Sequence, residues 1–286
     1  MNFWSNLFNK KRTESVVLID ISIDSVAGAY ARYTESEPPV IIYSKRLSIE
    51  TRGGEPGGQT MLRTLKELGD VLIREGAPIL VCAAGEGSVS DMLVSIDAPW
   101  QKTSVRTEHF EQNMPFIFTK HMVLEALKRD SIVPPGQMLV DESIIGTTLN
   151  GYETQDPYGK QVHRASVAIL SSCIDERIGK DIKALLRGLY HAKNIVFIAG
   201  SSLRYQAVRI VFPHERDVLI VDSAGPLTSI ALVRRGLLAE VVETLSRTNN
   251  ATAWLKDISG EFAKLAEKLP LPRTIFLLAR ESETLS

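Results

Sequence analysis

Cysteine is nearly missing from this chain: of 286 residues only Cys82 and Cys173 carry a thiol, far apart and without a Cys-x-x-Cys spacing. That excludes a disulfide-stapled secreted scaffold and a paired-cysteine zinc site, and it fits a reducing compartment. An excess of one charge is missing too. Thirty-three Lys and Arg stand against 34 Asp and Glu, a formal net charge of −1, so the summed field does not select nucleic acid and any such binding needs a local patch. No window approaches the ~20 apolar residues that cross a bilayer, and the N-terminus lacks a signal peptide's apolar core, so the expected location is cytoplasmic. His109, His121, His163, His191 and His214 show no His-x-x-x-His pair, and no Gly-x-Ser-x-Gly elbow occurs; neither zinc chemistry nor a serine hydrolase is readable. What is plentiful is apolar material: 44% hydrophobic against 23% charged residues builds one or two packed cores and excludes a disordered tail.

The opening residues 1–14 form a basic, amphipathic lead-in. Phe3, Trp4, Leu7 and Phe8 fall on one face of a short helix ahead of Lys10, Lys11 and Arg12. They read either as a peripheral contact with the inner face of the cell membrane or a partner, or as a frayed end packing on its own domain. From Ser15 the text reads strand, turn, strand (VVLIDIS, VAGAYARY), and a third run, VIIYSKRLSI, follows two prolines; three strands meandering into one sheet are expected. Residues 60–75 carry apolar side chains at helical spacing, and ILVCAA (79–84) and MLVSIDAP (92–99) read as buried strands. Between 104 and 171 the pattern becomes that of a compact insertion: strand, helix (119–129), strand (138–149), a turn-rich hairpin and strand (161–170). Helix (175–190), strand (194–199), helix (202–212) and strand (217–222) then alternate as in an α/β protein. An amphipathic helix over 252–269 reads as core.

One echo joins the two ends. VVLIDISIDSVAGAYAR (16–32) lies over VLIVDSAGPLTSIALVR (218–234) without a gap, and each first strand closes on an aspartate, Asp20 and Asp222. An Asp after four apolar residues belongs at a strand end, where ligands gather in such sheets, although both are equally readable as turn-initiating aspartates. LIDISIDSV resembles the phosphate 1 pattern Asp-x-Gly-Ser/Thr-x-x-Val, and LIVDSAGPLTSIALVRRG resembles the phosphate 2 pattern Asp-x-Gly-Gly-x-x-Thr. LNGYETQDPYGK is similar to the insertion hairpin Asn-Gly-Tyr…Pro-x-Gly-Lys. On these motifs the chain resembles the FtsA/PilM branch of the actin-like ATPase superfamily. The resemblance implies an actin-like (ribonuclease-H-like) two-lobe α/β fold with a small SHS2-type insertion. It places the first lobe at 15–103 plus 172–216, the insertion at 104–171 and a second, incomplete lobe at 217–286. It also implies that Asp20, Ser22, Asp222, Gly225 and Thr228 line vestigial phosphate hairpins, with Asp20 and Asp222 as the Mg²⁺-side carboxylates.

The hairpins lack glycine where phosphate binding needs the backbone to come close. Ser22 stands at the first glycine position and Ala224 at another; Pro226 has no N–H to donate, and Asp24 adds a negative charge. Two lost hydrogen bonds to a charged group cost roughly 3–6 kcal/mol, or ~10²–10⁴ in affinity. The expectation is therefore a cytosolic scaffold with weak or no ATP binding, and the resemblance implies docking of a short segment of a PilN-like inner-membrane protein. The alternatives are an ATP-binding, FtsA-like division protein, and a Mg²⁺-dependent nuclease or phosphotransferase using Asp20, Asp24 and Asp222.

Overall fold

A computed structural model describes residues 14–34, 37–51, 53–85, 89–129, 133–154, 156–225, 227–244 and 251–279. The lead-in bearing Phe3, Trp4, Leu7 and Phe8, and also Pro226, lie outside the described residues. Two compact units make up the chain, one of residues 1–96 with 177–198 and one of 97–176 with 199–286.

The first unit is built on the expected meander. In β1 (Glu14–Ile21) the side chains of Val17, Ile19 and Ile21 are buried, so the strand is held by its apolar face. It pairs antiparallel with β2 (Ser25–Thr34), which pairs antiparallel with β3 (Glu37–Ser48). After β3, helix α1 (Gly57–Val71) buries Met61, Leu65 and Leu68, one helical face. The run ILVCAA is not a strand. It lies in α2 (Ala77–Ala84), which continues α1 through a wider turn over Leu72–Gly76 and stops at Gly85, whose φ of 76° is left-handed. Only Leu80 of that run is buried; Ile79 and Val81 are nearly half exposed. A short apolar run has no period by which to tell strand from helix, and the helix already under way decided it. β4 (Asp91–Ile96) then returns parallel to β1.

In the second unit, β5 (Gln101–Ile117), α3 (Lys120–Arg129), β6 (Gln137–Leu149), β7 (Tyr152–Glu153) and β8 (Gln161–Asp175) form the small α/β segment, with strand order β5-β8-β6-β7. Its own core gathers Phe118, Val123, Val167 and Ile169. Helix α4 (Glu176–Tyr190) and β9 (Asn194–Ala199) return the chain to the first sheet, completing the order β3-β2-β1-β4-β9.

The chain goes on through α5 (Gly200–Val211), β10 (Val218–Asp222), β11 (Thr228–Arg234), β12 (Leu237–Thr244), α6 (Ala251–Lys268) and β13 (Thr274–Leu278). Strand β10 is apolar on both faces for a reason. Val218 and Ile220 cluster with Val208 of α5, whereas Leu219 and Val221 cluster with Ile258 and Leu265 of α6. The sheet order is β12-β11-β10-β13, with β10 antiparallel to β11 and parallel to β13. The first sheet has the same sequence of partners, β3-β2-β1-β4 in the same senses, so the echo in the sequence is an echo in topology. Among the described residues the second sheet has four strands, one fewer than the first.

Candidate functional site: two acidic hairpins

Strand β1 runs one residue beyond Asp20, and the loop to β2 is only Ser22–Asp24. The loop closes on itself: the Ser22 N–H donates to the Ser25 carbonyl at 3.0 Å, and the Asp24 carbonyl accepts from the Ile49 N–H at 2.7 Å. The Ser25 hydroxyl donates to Asp24 Oδ1 at 3.1 Å. Asp20 lies opposite Ala27 on β2, and Ala27 lies opposite Arg46 on β3. One row of the sheet therefore holds Asp20, Ala27 and Arg46 on one face. Because Ala27 is small, the guanidinium reaches across it, donating to Asp20 Oδ2 at 3.0 Å and to the Ser25 hydroxyl at 2.8 Å. This ion pair is open to water, with Arg46 52% and Asp20 37% exposed.

The second hairpin is tied down more deeply. Asp222 ends β10; its Oδ1 accepts from the Ala224 N–H at 2.9 Å, and the Ser223 N–H donates to the Leu278 carbonyl at 2.9 Å. Its Oδ2 meets Arg204 Nη1 at 3.0 Å. The same guanidinium grips Asp97 with both prongs, at 2.7 and 3.1 Å. Arg204 is 20% exposed and each aspartate 18%. Helix α5 supplies Arg204 and, one turn earlier, Gly200, where a Cβ would stand 2.0 Å from Asp97 Oδ1. Only glycine lets that carboxylate lie against the first turn of the helix, whose N-terminal end favours negative charge.

The row that begins at Asp222 continues through Ser229 to Glu243 on β12. Burial, reinforced by the charge of Asp97 and opposed by Arg204 and by the Gln101 hydrogen bond, pushes Glu243 up from its usual 4.5 to about 7. Gln101, 1% exposed, donates through Nε2 to Glu243 Oε1 at 3.1 Å. Thr228, named for its hydroxyl, is buried and accepts from the Trp254 indole N–H at 2.9 Å. Gly225 lies in the β10–β11 loop.

Phosphate oxygens need donors that point outward. In these loops the N–H groups of Ser22, Ser223 and Ala224 donate within the protein, and Asp20 and Asp222 each hold a guanidinium in place of a cation from solution. Among the described residues no three His, Cys, Asp or Glu side chains gather as a metal site. Arg46, Arg204, Asp97 and Glu243 were not singled out from the sequence. For Arg46 and Glu243 the signal was available: once the hairpins are aligned, the third strand puts each in the row of the aspartate. For Arg204 and Asp97, on a helix and a loop, there was none.

No family model matches the sequence, and no curated protein matches it. Solved structures do match in shape. A chain of the PilM–PilN type IV pilus biogenesis complex aligns with 94% of this chain and 82% of its own, at 13% identity and a TM-score of 0.57. A Bacteroides thetaiotaomicron protein, described as having an actin-like ATPase fold and unknown function, aligns with 97% of this chain and 87% of its own, at 12% identity and a TM-score of 0.49. An Aquifex aeolicus PPX-GPPA enzyme aligns with 93% and 68%, at 13% identity and a TM-score of 0.41. The chain shares its fold with the matched chain of the PilM–PilN complex.

Proposed function

We propose that this protein is a cytoplasmic adaptor on an actin-like frame, docking a short segment of an inner-membrane, PilN-like partner and holding ATP weakly or not at all. The observation that carries the reading is Arg204. Its guanidinium bridges Asp222 and Asp97 in a largely buried site, so a metal-bound nucleotide at Asp222 has to displace an internal cation that already satisfies two carboxylates. Arg46 does the same for Asp20 at the surface. The likeness in shape to the PilM–PilN complex supports the choice of partner.

Calorimetry with Mg-ATP tests the nucleotide half: no saturable heat is expected below ~1 mM, consistent with the loss of two charged hydrogen bonds. Low-micromolar affinity that disappears in Asp222→Ala returns the chain to the ATP-binding, FtsA-like reading. The docking half is tested with synthetic cytoplasmic tails of PilN-like proteins; absence of binding at several hundred micromolar overturns it.

A further inference from the structure

The first sheet is covered differently on its two faces. Val17, Ile19, Ile21, Gly28 and Tyr30 share one face, and helices close over it: a Cβ on Gly28 would stand 2.5 Å from Leu72, while Tyr30 lies against Gly76 and meets the Tyr190 ring edge to face. The other face is read in rows, because residues directly opposite on antiparallel strands share a face. Asp20, Ala27 and Arg46 form the row next to the hairpin loop, open to water. In the next row Leu18 and Ala29 are partly buried and Ser44 is exposed. Val16 and Ala31 follow at 6% and 1% exposed, and then Tyr33, opposite Glu14, at 7%. Burial on this face therefore deepens toward the start of β1. It stops at β2, since Ile41, in the row of Ala31 on β3, is 52% exposed.

Val16, Ala31 and Tyr33 form a cluster with Leu18 packed against it, and among the described residues no hydrophobic side chain from beyond β1 and β2 joins them. Strand side chains stand perpendicular to the sheet, so neighbours in the sheet screen their flanks and leave their tips open. A further segment of this chain has to exclude water there. In the first unit the stretches outside the described residues are 1–13, 35–36, 52 and 86–88, and only 1–13 contains apolar side chains. That stretch joins the sheet at Glu14, in the row of Tyr33, which is the buried end of the face. Phe3, Trp4, Leu7 and Phe8 recur at the spacing of one helical face. Residues 9–13 span up to about 17 Å when extended, enough for the chain to turn back over the sheet.

We infer that residues 1–13 are an intramolecular strap, whose side chains Phe3, Trp4, Leu7 and Phe8 lie on Val16, Ala31 and Tyr33 and are thereby withheld from a membrane surface. The strap is independent of the adaptor reading, and it leaves any hold on a membrane to the partner.

Tryptophan fluorescence of the full chain tests this. The three tryptophans are Trp4, Trp100 and Trp254, so the emission of Trp4 is the difference between the native chain and Trp4→Phe, a variant that keeps an aromatic ring. Without lipid, that emission should be blue-shifted from tryptophan in water and resist quenching by acrylamide, equally at low and high protein concentration. The place of docking is read from paired substitutions: Trp4→Ala and Val16→Ala should couple by ~fivefold or more in the unfolding equilibrium constant, whereas Trp4→Ala and Val17→Ala, on the opposite face, should add. Val16→Thr, of the same shape, takes the place of Val16→Ala if the latter does not fold. A Trp4 emission like that of tryptophan in water overturns the strap. So does a blue shift that appears only with phosphatidylglycerol vesicles or only as protein concentration rises; the segment would then serve a membrane or a second copy. A buried Trp4 whose loss merely adds to that of Val16 puts the segment elsewhere and overturns the inference as well.

Discussion

The two hairpin sheets share strand order, strand sense and an aspartate at the same place, yet they neutralise that aspartate in opposite ways. In the first, the cation is a neighbour in the same row: Arg46 on β3 reaches Asp20 over Ala27, in water. In the second, the corresponding row position on β12 holds Glu243, an acid, and the cation arrives from a helix as Arg204. A repeated backbone thus fixes where charge sits without fixing its sign or its depth. Depth decides the energetics: an exposed pair contributes little, whereas a buried carboxylate stripped of its partner is costly.

The contrast is broken most sharply at Arg204. Arg204→Leu leaves Asp97 and Asp222 facing each other beside Glu243 with no cation, and a loss of about 3–5 kcal/mol is expected from denaturant unfolding. Arg204→Lys keeps the charge without the two-pronged contact and should recover part of it. A loss below about 1 kcal/mol in Arg204→Leu would mean the two sheets do not differ in the way described.

A smaller effect separates them by pH. Glu243 binds its proton more tightly in the folded chain, at about 7, than at its usual 4.5. Its stabilising contribution is complete below pH 4.5, falls as pH rises through 7, and is absent above, a span on the order of 3 kcal/mol. Glu243→Gln should remove that part of the slope between unfolding free energies measured at pH 5 and pH 8. An unchanged slope places the titration elsewhere. The least effect belongs to the first sheet: Arg46→Ala should cost about 0–1 kcal/mol, less at high salt. A cost equal to that of Arg204→Leu would erase the comparison.

Much of the frame was legible because hydrophobic alternation and turn residues act locally. The paired hairpins, the small α/β segment and helices α1, α4 and α6 follow from spacing. The run at 79–84 did not, since six consecutive apolar residues carry no period and the outcome hung on the helix before them. Asp20 and Asp222 were visible as candidates, and aligning the third strands puts Arg46 and Glu243 in their rows; Arg204 and Asp97 were not, because a helix and a loop reach the aspartate through space with no spacing along the chain to mark them. Thr228 shows the reverse limit: its hydroxyl matched a motif, and packing gave it to Trp254 instead.

Composition and periodicity alone determined that this chain is an α/β protein with two related hairpins whose loops are poor in glycine, since these depend on neighbours along the backbone. Which side chains stand against the aspartates was decided only by the tertiary structure, because a guanidinium finds its carboxylate through space, across Ala27 in one sheet and from the first turns of α5 in the other.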